Sequence, residues 1–414
     1  MNGVEELVRD ALREQAAAQR SGAPRMAERV LAAHRRRVRR RVGAAAAAVA
    51  AVVGLAFWGP LPGGPAPSAG IRPSAPEISA HPDQSPPRDV IAAGNVVMAA
   101  YEQAEQVDLG GAKGGEWRRT YWLLDPDSQT YEKDERWSEV AVFPGARRAV
   151  VLERELPTRR IGVLDLRTRE VERWIELDGD ERQGVAGLAL SADGASLLAT
   201  TYRDDPDRLE RFTGDNGKVD LMPPRTSART GFWVVDVASG RGSWSEVEVP
   251  TVEDPVMPGI SAVNARQDFA FTRDGRAVKG GLVTEARREF HDLRGRPVEP
   301  PAGEAHWEWS VDAGLSPDGG RVAGPFAGVS RKTSSWILDA RTGKQLAEIP
   351  GQQLVAWAGK DQLVAWDMSK GSTSEYATRL VLVTIGSDRT VPLSGPRSGK
   401  GDDKGRWEPL FVPR

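Results

Sequence analysis

An all-β domain carried behind one apolar span is the fold this sequence predicts, and three observations carry that reading. From residue 94 onward two strand–turn–strand patterns alternate to the end of the chain. Before residue 62 an uncharged apolar run comes directly after a block of arginines. Between them lies a stretch dominated by proline, glycine and serine. Four strands every forty to fifty residues is the period of a β-propeller blade. The repeats therefore predict a six-bladed β-propeller, with five or seven blades as the neighbouring counts.

The first element in chain order is a short helical segment, residues 1–41. Val4, Leu7, Val8, Ala11, Leu12 and Ala16 recur at the spacing of one helix face. Ser21–Pro24 interrupts this helix, and "RMAERVLAAHRRR" starts a second one with Met26, Val30 and Leu31 on one side. Two such helices are too small to bury a core alone. Val4, Leu7, Val8 and Leu12 are therefore a candidate partner-binding stripe, and the membrane surface is the alternative cover.

Arg35, Arg36, Arg37, Arg39, Arg40 and Arg41 end this segment and set the topology of the apolar run behind them. Val42 to Trp58 carries no charge; its 17 residues at ~1.5 Å each reach about 26 Å, and extension through Leu61 approaches the ~30 Å of a bilayer core. Residues 42–61 are expected to be a transmembrane helix, with a removed signal, including one of twin-arginine type, and a soluble alanine-rich helix as the alternatives. Arginines beside a span stay in the cytoplasm, so the amino terminus is expected inside and the rest outside, in contact with the bilayer. The charge agrees. Residues 1–41 hold 11 Lys+Arg and 5 Asp+Glu, a balance of +6; subtraction from the totals of 56 and 58 leaves 45 and 53, a balance of −8. A chain that binds nucleic acid directly is more often basic throughout, so none is expected as a partner.

Residues 62–93 read as a linker. Gly59 to Ala93 holds nine of the 29 prolines, and such composition favours extended, unpacked chain. The propeller is expected over 94–414. Its first repeated element is two apolar strands about a tight turn, as in "LALSADGASLLAT", "FAFTRDGRAVKG" and "AGLSPDGGRVAG". Asp193–Gly194, Asp274–Gly275 and Asp318–Gly319 read as two-residue hairpin turns, glycine taking the positive φ. The second element is an apolar strand ending in Asp, a turn and a further strand, as in "IGVLDLRTREVERW" and "SWILDARTGKQLAEI". Its key positions are Asp125, Asp165, Asp236, Asp292, Asp339 and Thr384. The closing "RWEPLFVPR" is expected to join the sheet begun by "NVVMAAYE" and "EWRRTYWLLD", which would satisfy an open edge.

The "SPDG" and "LDARTGK" patterns resemble the WD40-like and TolB-like propellers, including bacterial extracytoplasmic versions, over roughly residues 94–414. The Gly-His and Trp-Asp dipeptides of strict WD40 repeats do not recur, "AWD" at 365–367 being one instance. That resemblance implies the fold; such propellers serve as scaffolds, receptors and several unrelated enzymes. The amino-terminal layout, with "VEELVRDALREQAA", resembles membrane-bound anti-sigma factors and implies a cytosolic sigma-factor-like partner. With His34 alone and no cysteine, the zinc-binding version of that family is excluded.

Candidate chemistry is sparse. Residues 202–230 form an insertion of about twenty-five residues beyond the usual blade length, and insertions on one face of a repeat array often bind partners. Asp204, Asp205 and Asp207 within it are candidate partner-binding residues; their spacing matches no calcium loop. His34 and His81 fall outside the expected propeller, His291 reads as structural, and His306 with Glu304 and Glu308 is an alternative metal or acid/base cluster. The 13 tryptophans are expected between blades, with a carbohydrate-stacking platform as the alternative. No nucleophile elbow, phosphate loop or dinucleotide fingerprint occurs. No catalytic residue, metal ligand or cofactor is assigned, and the expected role is recognition of a cell-envelope protein or polymer.

Overall fold

The computed structural model describes residues 78–414 apart from 215–216, 225–226, 248, 250–265, 282–287, 309, 329–332, 369–375 and 398–405. The arginine block, the span at 42–61 and the stripe of Val4, Leu7, Val8 and Leu12 lie outside the described residues. Among the described residues no helix is long and apolar enough to cross a membrane.

The chain from Pro73 onward is one compact unit. Among the described residues its strands form six antiparallel sheets, arranged one after another in sequence, an all-β architecture of the propeller kind. The first sheet holds Val96–Asp108, Gly115–Leu124 and Tyr131–Asp134. The second runs Trp137–Val142, Arg148–Glu153, Arg160–Asp165 and Val171–Glu176. The third runs Val185–Leu190, Ser196–Tyr202, Arg229–Asp236 and Gly242–Glu246. Ala270–Phe271, Ala277–Gly281 and Arg288–Asp292 make the fourth, and Arg321–Phe326, Ser334–Asp339 and Gln345–Pro350 the fifth. The sixth is Gln353–Trp357, Gln362–Met368, Thr378–Thr384 and Thr390–Pro392. The C-terminal strand Trp407–Pro413 then pairs with Val96–Asp108 of the first sheet, Val97 opposite Val412 and Gln103 opposite Trp407.

Burial explains the sequence of these strands. The middle strands Arg148–Glu153 and Arg160–Asp165 are covered on both faces and read as continuous apolar runs, whereas the outer Val171–Glu176 is largely open to water. Apolar clusters join neighbouring sheets. Met98 and Leu123 of the first meet Val151 and Leu164 of the second, and also Val364 and Leu380 of the sixth. Leu152 and Ile161 of the second pack with Leu197 and Val235 of the third. Leu198 and Phe232 of the third pack with Phe269 and Val278 of the fourth, and Ile337 of the fifth with Leu363 and Val381 of the sixth. Buried tryptophans fill such seams, as Trp366 and Trp407 do edge to face at 4.9 Å between the sixth and first sheets.

The fourth and fifth sheets meet differently. Lys279 donates to buried Glu304 at 2.6 Å, Arg273 donates its backbone N–H to the same carboxylate, and its guanidinium reaches the carbonyl of Pro317. This removes Glu304 from the alternative cluster with His306 and Glu308; the His306 ring instead lies against Gly343.

Two expectations are corrected. The linker does not extend to residue 93, because residues 78–93 are packed onto the domain. His81 donates its N–H to Leu393, Gly395 donates to Gln84, and the indole of Trp407 donates to Ser85 Oγ. Prolines remove some donors, and other backbone groups of this stretch bond to the first and sixth sheets, as Val90 does to the carbonyl of Gln129 and Ile91 to the Tyr131 hydroxyl. His81 accordingly belongs to the folded unit.

The Asp-Gly turns are also longer than two residues. Ser191 N–H closes on the carbonyl of Ser196, leaving four residues between, and Gly194 N–H donates back to Ser191. The Ser191 hydroxyl donates to Asp193 Oδ1 at 2.6 Å and accepts from Ser196 N–H. Thr272 and Ser316 repeat this with Asp274 and Asp318. Gly194, Gly275 and Gly319 stand at φ 71°, 67° and 74°, so the expected backbone role of glycine holds within a different loop. The hydroxyl two residues before Asp selects the longer loop by satisfying its backbone donors.

Candidate functional site

The second repeated element uses its aspartates as turn caps. Asp165 Oδ1 accepts from the N–H groups of Arg167 and Thr168, and Asp339 does the same with Arg341 and Thr342. Their carboxyls are held below the usual range, by the N–H of Thr168 first at Asp165 and by the Thr342 hydroxyl first at Asp339. These residues stabilise turns and offer no reactive group.

The chemistry of the molecule concentrates instead where the strands opening the sheets begin. Glu139 comes from the second sheet, Arg266 and Asp268 lead into the fourth, and Glu408 starts the C-terminal strand opposite Glu102. Arg266 is the hub. Its Nε donates to Asp268 at 2.7 Å, Nη1 to Asp207 at 2.7 Å, and Nη2 to Glu139 at 2.7 Å and to the carbonyl of Ala186. Arg119 of the first sheet binds Asp207 through both terminal nitrogens, at 2.5 and 3.0 Å, and lies 3.7 Å from Glu102. The Tyr202 hydroxyl donates to Asp268 at 2.9 Å. One close approach permits this: a Cβ on Gly187 would stand 2.1 Å from Asp268 Oδ1.

Burial sets the electrostatics. It pushes the Glu139 carboxyl up to about 7, helped by Asp268 and Glu102 and opposed by Arg266 and Arg119. Burial also disfavours charge on Arg119 and Arg266, and at Arg119 the other guanidinium adds to that, yet the surrounding carboxylates more than compensate and keep both ionised. Further along this end, Asp312 accepts from Gln353 at 3.1 Å. It opens to solvent but is crowded by protein, and that crowding with Glu408 raises its carboxyl to about 6. Glu408 itself is held by Arg397 at 2.6 Å and Arg406 at 3.2 Å.

The insertion is part of this site. Arg208–Thr213 and Val219–Met222 form a hairpin that pairs with the first sheet, Arg208 opposite Glu116 and Leu209 opposite Gly115. It thus leaves the third sheet and crosses to the first. The three candidate aspartates in it divide: Asp204 is exposed, Asp205 is half-buried, and Asp207 is 4% exposed with both oxygens bound by Arg119 and Arg266. Asp193, Asp274 and Asp318 remain in their turns, away from this cluster. Arg119, Glu139, Arg266 and Asp268 escape sequence reasoning. Arg266 and Glu139 are 127 residues apart, and nothing local marks either. The one available signal is polarity at the start of strands that are otherwise apolar. A cleft beside the hub, lined by Trp117, Arg118, Arg154 and Asp205 among others, measures about 30 Å³, room for waters rather than a sugar or peptide.

No protein-family model matches the chain, and no curated protein matches it. Solved structures do. Oligogalacturonate lyase from Vibrio parahaemolyticus is similar at 12% identity and a TM-score of 0.41, covering 78% of this chain and 87% of that one. TolB from Acinetobacter baumannii is similar at 14% identity and 0.37, covering 76% and 67%. The β-propeller domain of Cps50 (Swd1) from Myceliophteria thermophila is similar at 13% and 0.35, covering 75% and 90%. At these values the similarity carries no chemistry, and the architecture is read from the six sheets themselves.

Proposed function

We propose that this is a membrane-anchored binding protein: a six-bladed propeller, closed by its own C-terminal strand, held outside the membrane by a helix at 42–61 and recognising a cell-envelope protein or polymer without turning it over. The observation that carries the binding reading is the charged end of the sheets. Asp204 and Asp312 are exposed there and Glu408 is half-exposed, beside the mostly buried, mutually paired cluster of Arg119, Arg266, Glu139, Asp207 and Asp268 that fixes their surroundings. Fixed charges of this kind select a partner by complementarity. The anchor and the outward orientation rest on the sequence, through the arginine block and the uncharged run behind it.

The stripe of Val4, Leu7, Val8 and Leu12 favours a second reading, in which the cytosolic helices hold a sigma-factor-like protein and the propeller acts as sensor. A crosslinked pull-down from membranes decides between them, using the intact protein and a version lacking residues 2–33. Recovery of the same envelope components by both forms supports the first reading. A transcription factor recovered by the intact form alone replaces it with the second, and recovery of neither class rejects both.

A further inference from the structure

We propose that the insertion is a strap fastened across the second sheet by a proton-sensitive latch, in which loss of the proton on Glu139 loosens the hold of Arg266 and Arg119 on Asp207. The latch lies wholly within the described fold and operates whether or not the protein is anchored in a membrane.

The charges at the hub do not balance. Two guanidiniums, Arg119 and Arg266, face four carboxyls, Glu102, Glu139, Asp207 and Asp268, so full ionisation leaves 2 − 4 = −2 in a site mostly closed to water. The groups facing Glu139 come from every element around it. Arg119, Tyr121 and Glu102 lie on the first sheet, Tyr202 on the third, Arg266 and Asp268 ahead of the fourth, and Asp207 on the insertion. Tyr121 and Tyr202 are both pushed well above their ordinary range, chiefly by burial, and supply no compensating charge. One proton on a carboxyl relieves the imbalance, and Glu139 holds it, its carboxyl being raised to about 7 by burial first.

The geometry decides what yields when that proton leaves. Glu102, Glu139 and Arg119 sit within paired strands, and Arg266 and Asp268 are fixed through Ala186 and Tyr202. Asp207 belongs to the insertion, as does Asp205 beside it, whose carboxyl accepts the Asp207 N–H and is itself raised by burial and by the neighbouring Asp207. The segment is fastened to the first sheet by two register pairs, by the Trp117 N–H donated to the Asp207 carbonyl, by Arg119 and by the ion pair of Arg211 with Asp108, and to the approach of the fourth sheet by Arg266. Arg266 serves Asp207 and Glu139 through separate nitrogens, so an anionic Glu139 takes no donor from Asp207 but brings the closed site to its full net charge of −2, and the least costly relief is to admit water and let the strap lift. A site whose closed form holds a proton up to pH 7 and whose open form releases it at the ordinary glutamate value opens more as pH rises.

The test is backbone hydrogen exchange on the full-length protein in detergent at pH 6 and pH 8, with rates corrected for the intrinsic effect of pH. Opening of amides 203–213 and 116–119 should rise by about tenfold between the two, the change expected when a folded value near 7 meets an open value near 4.5. Amides of Arg148–Glu153 should not change. In Glu139→Gln the strap should stay protected at pH 8. Protection of the strap that is independent of pH in the unaltered protein overturns the proposal, as does a Glu139→Gln protein that keeps the tenfold response. Should that variant not fold, the infrared carbonyl band of protonated carboxyls in the unaltered protein decides. Loss of intensity near pH 7 in step with strap opening supports the latch, and no loss between pH 6 and 8 overturns it.

Discussion

Glu304 shows how a single side chain carries a junction between sheets. It is 2% exposed, accepts from Lys279 and from the backbone of Arg273, and lies where the fourth and fifth sheets meet through polar groups. Removing one partner of a buried pair strands the other, so Glu304→Ala should lower stability by roughly 3–5 kcal/mol in urea unfolding. Glu304→Ala combined with Lys279→Met should recover much of that loss, because no unpaired charge remains. Gly187→Ala tests the hub in the same way. The new methyl would press on the Asp268 carboxylate, and unfolding should shift to lower urea with the apolar seams intact. Gly187 does not stand out in the sequence, and Glu304 does so only beside His306 and Glu308, a different role from the one its partners Lys279 and Arg273 give it.

The turns are legible in the strand–turn–strand elements, but only in part. Asp-Gly at 193–194, 274–275 and 318–319 marks where strands reverse, because few residues but glycine accept φ near +70° cheaply. Loop length is not legible, because the hydroxyl of Ser191, Thr272 or Ser316 closes the loop through a bond that composition does not reveal. Ser316→Ala should therefore cost about 1 kcal/mol by denaturant titration, one hydroxyl network being lost, and Gly319→Ala about 1–2 kcal/mol through its left-handed backbone. The insertion shows in the sequence by its length, yet its landing place on Gly115–Leu124 does not, since a hairpin of mixed polar residues pairs with any free strand of matching reach.

For the whole molecule, the C-terminal strand and the titrating groups are the decisive features. Deleting residues 407–414 would leave residues 96–103 without a partner on one edge, while the other edge stays paired to Gly115–Leu124, and would remove Trp407 from the seam with Trp366. Loss of the cooperative unfolding transition, monitored by circular dichroism, is the expected result. The response to pH has two opposed limbs. Asp125, Asp165, Asp193, Asp236, Asp318 and Asp339 are held low, backbone N–H groups leading at the first two and hydroxyls at the others. Their contribution is full above the ordinary carboxylate range and is lost as pH falls through their lower folded values. Glu139 is raised instead, so its proton stabilises the fold most below its ordinary value, and that contribution is lost as pH rises to about 7. Thermal stability should accordingly be highest near the ordinary carboxylate range, at about pH 4 to 4.5, and fall as pH rises toward 7; the fall should be smaller in Glu139→Gln, where Asp312, raised to about 6, still contributes.

The repeats, the position of most strands, the turn glycines and the sheet joined by the last strand can all be read from the order of residues. Those features obey local rules: alternation of apolar residues, backbone preference at glycine, and a fixed repeat length. Three others emerge only once the chain is folded: residues 78–93 are packed, Glu304 serves a junction, and Asp207 is clamped by two arginines. The physical reason is range. An ion pair or a strand edge is satisfied by whichever group the fold brings near, and for Arg266 and Glu139 that group lies 127 residues away.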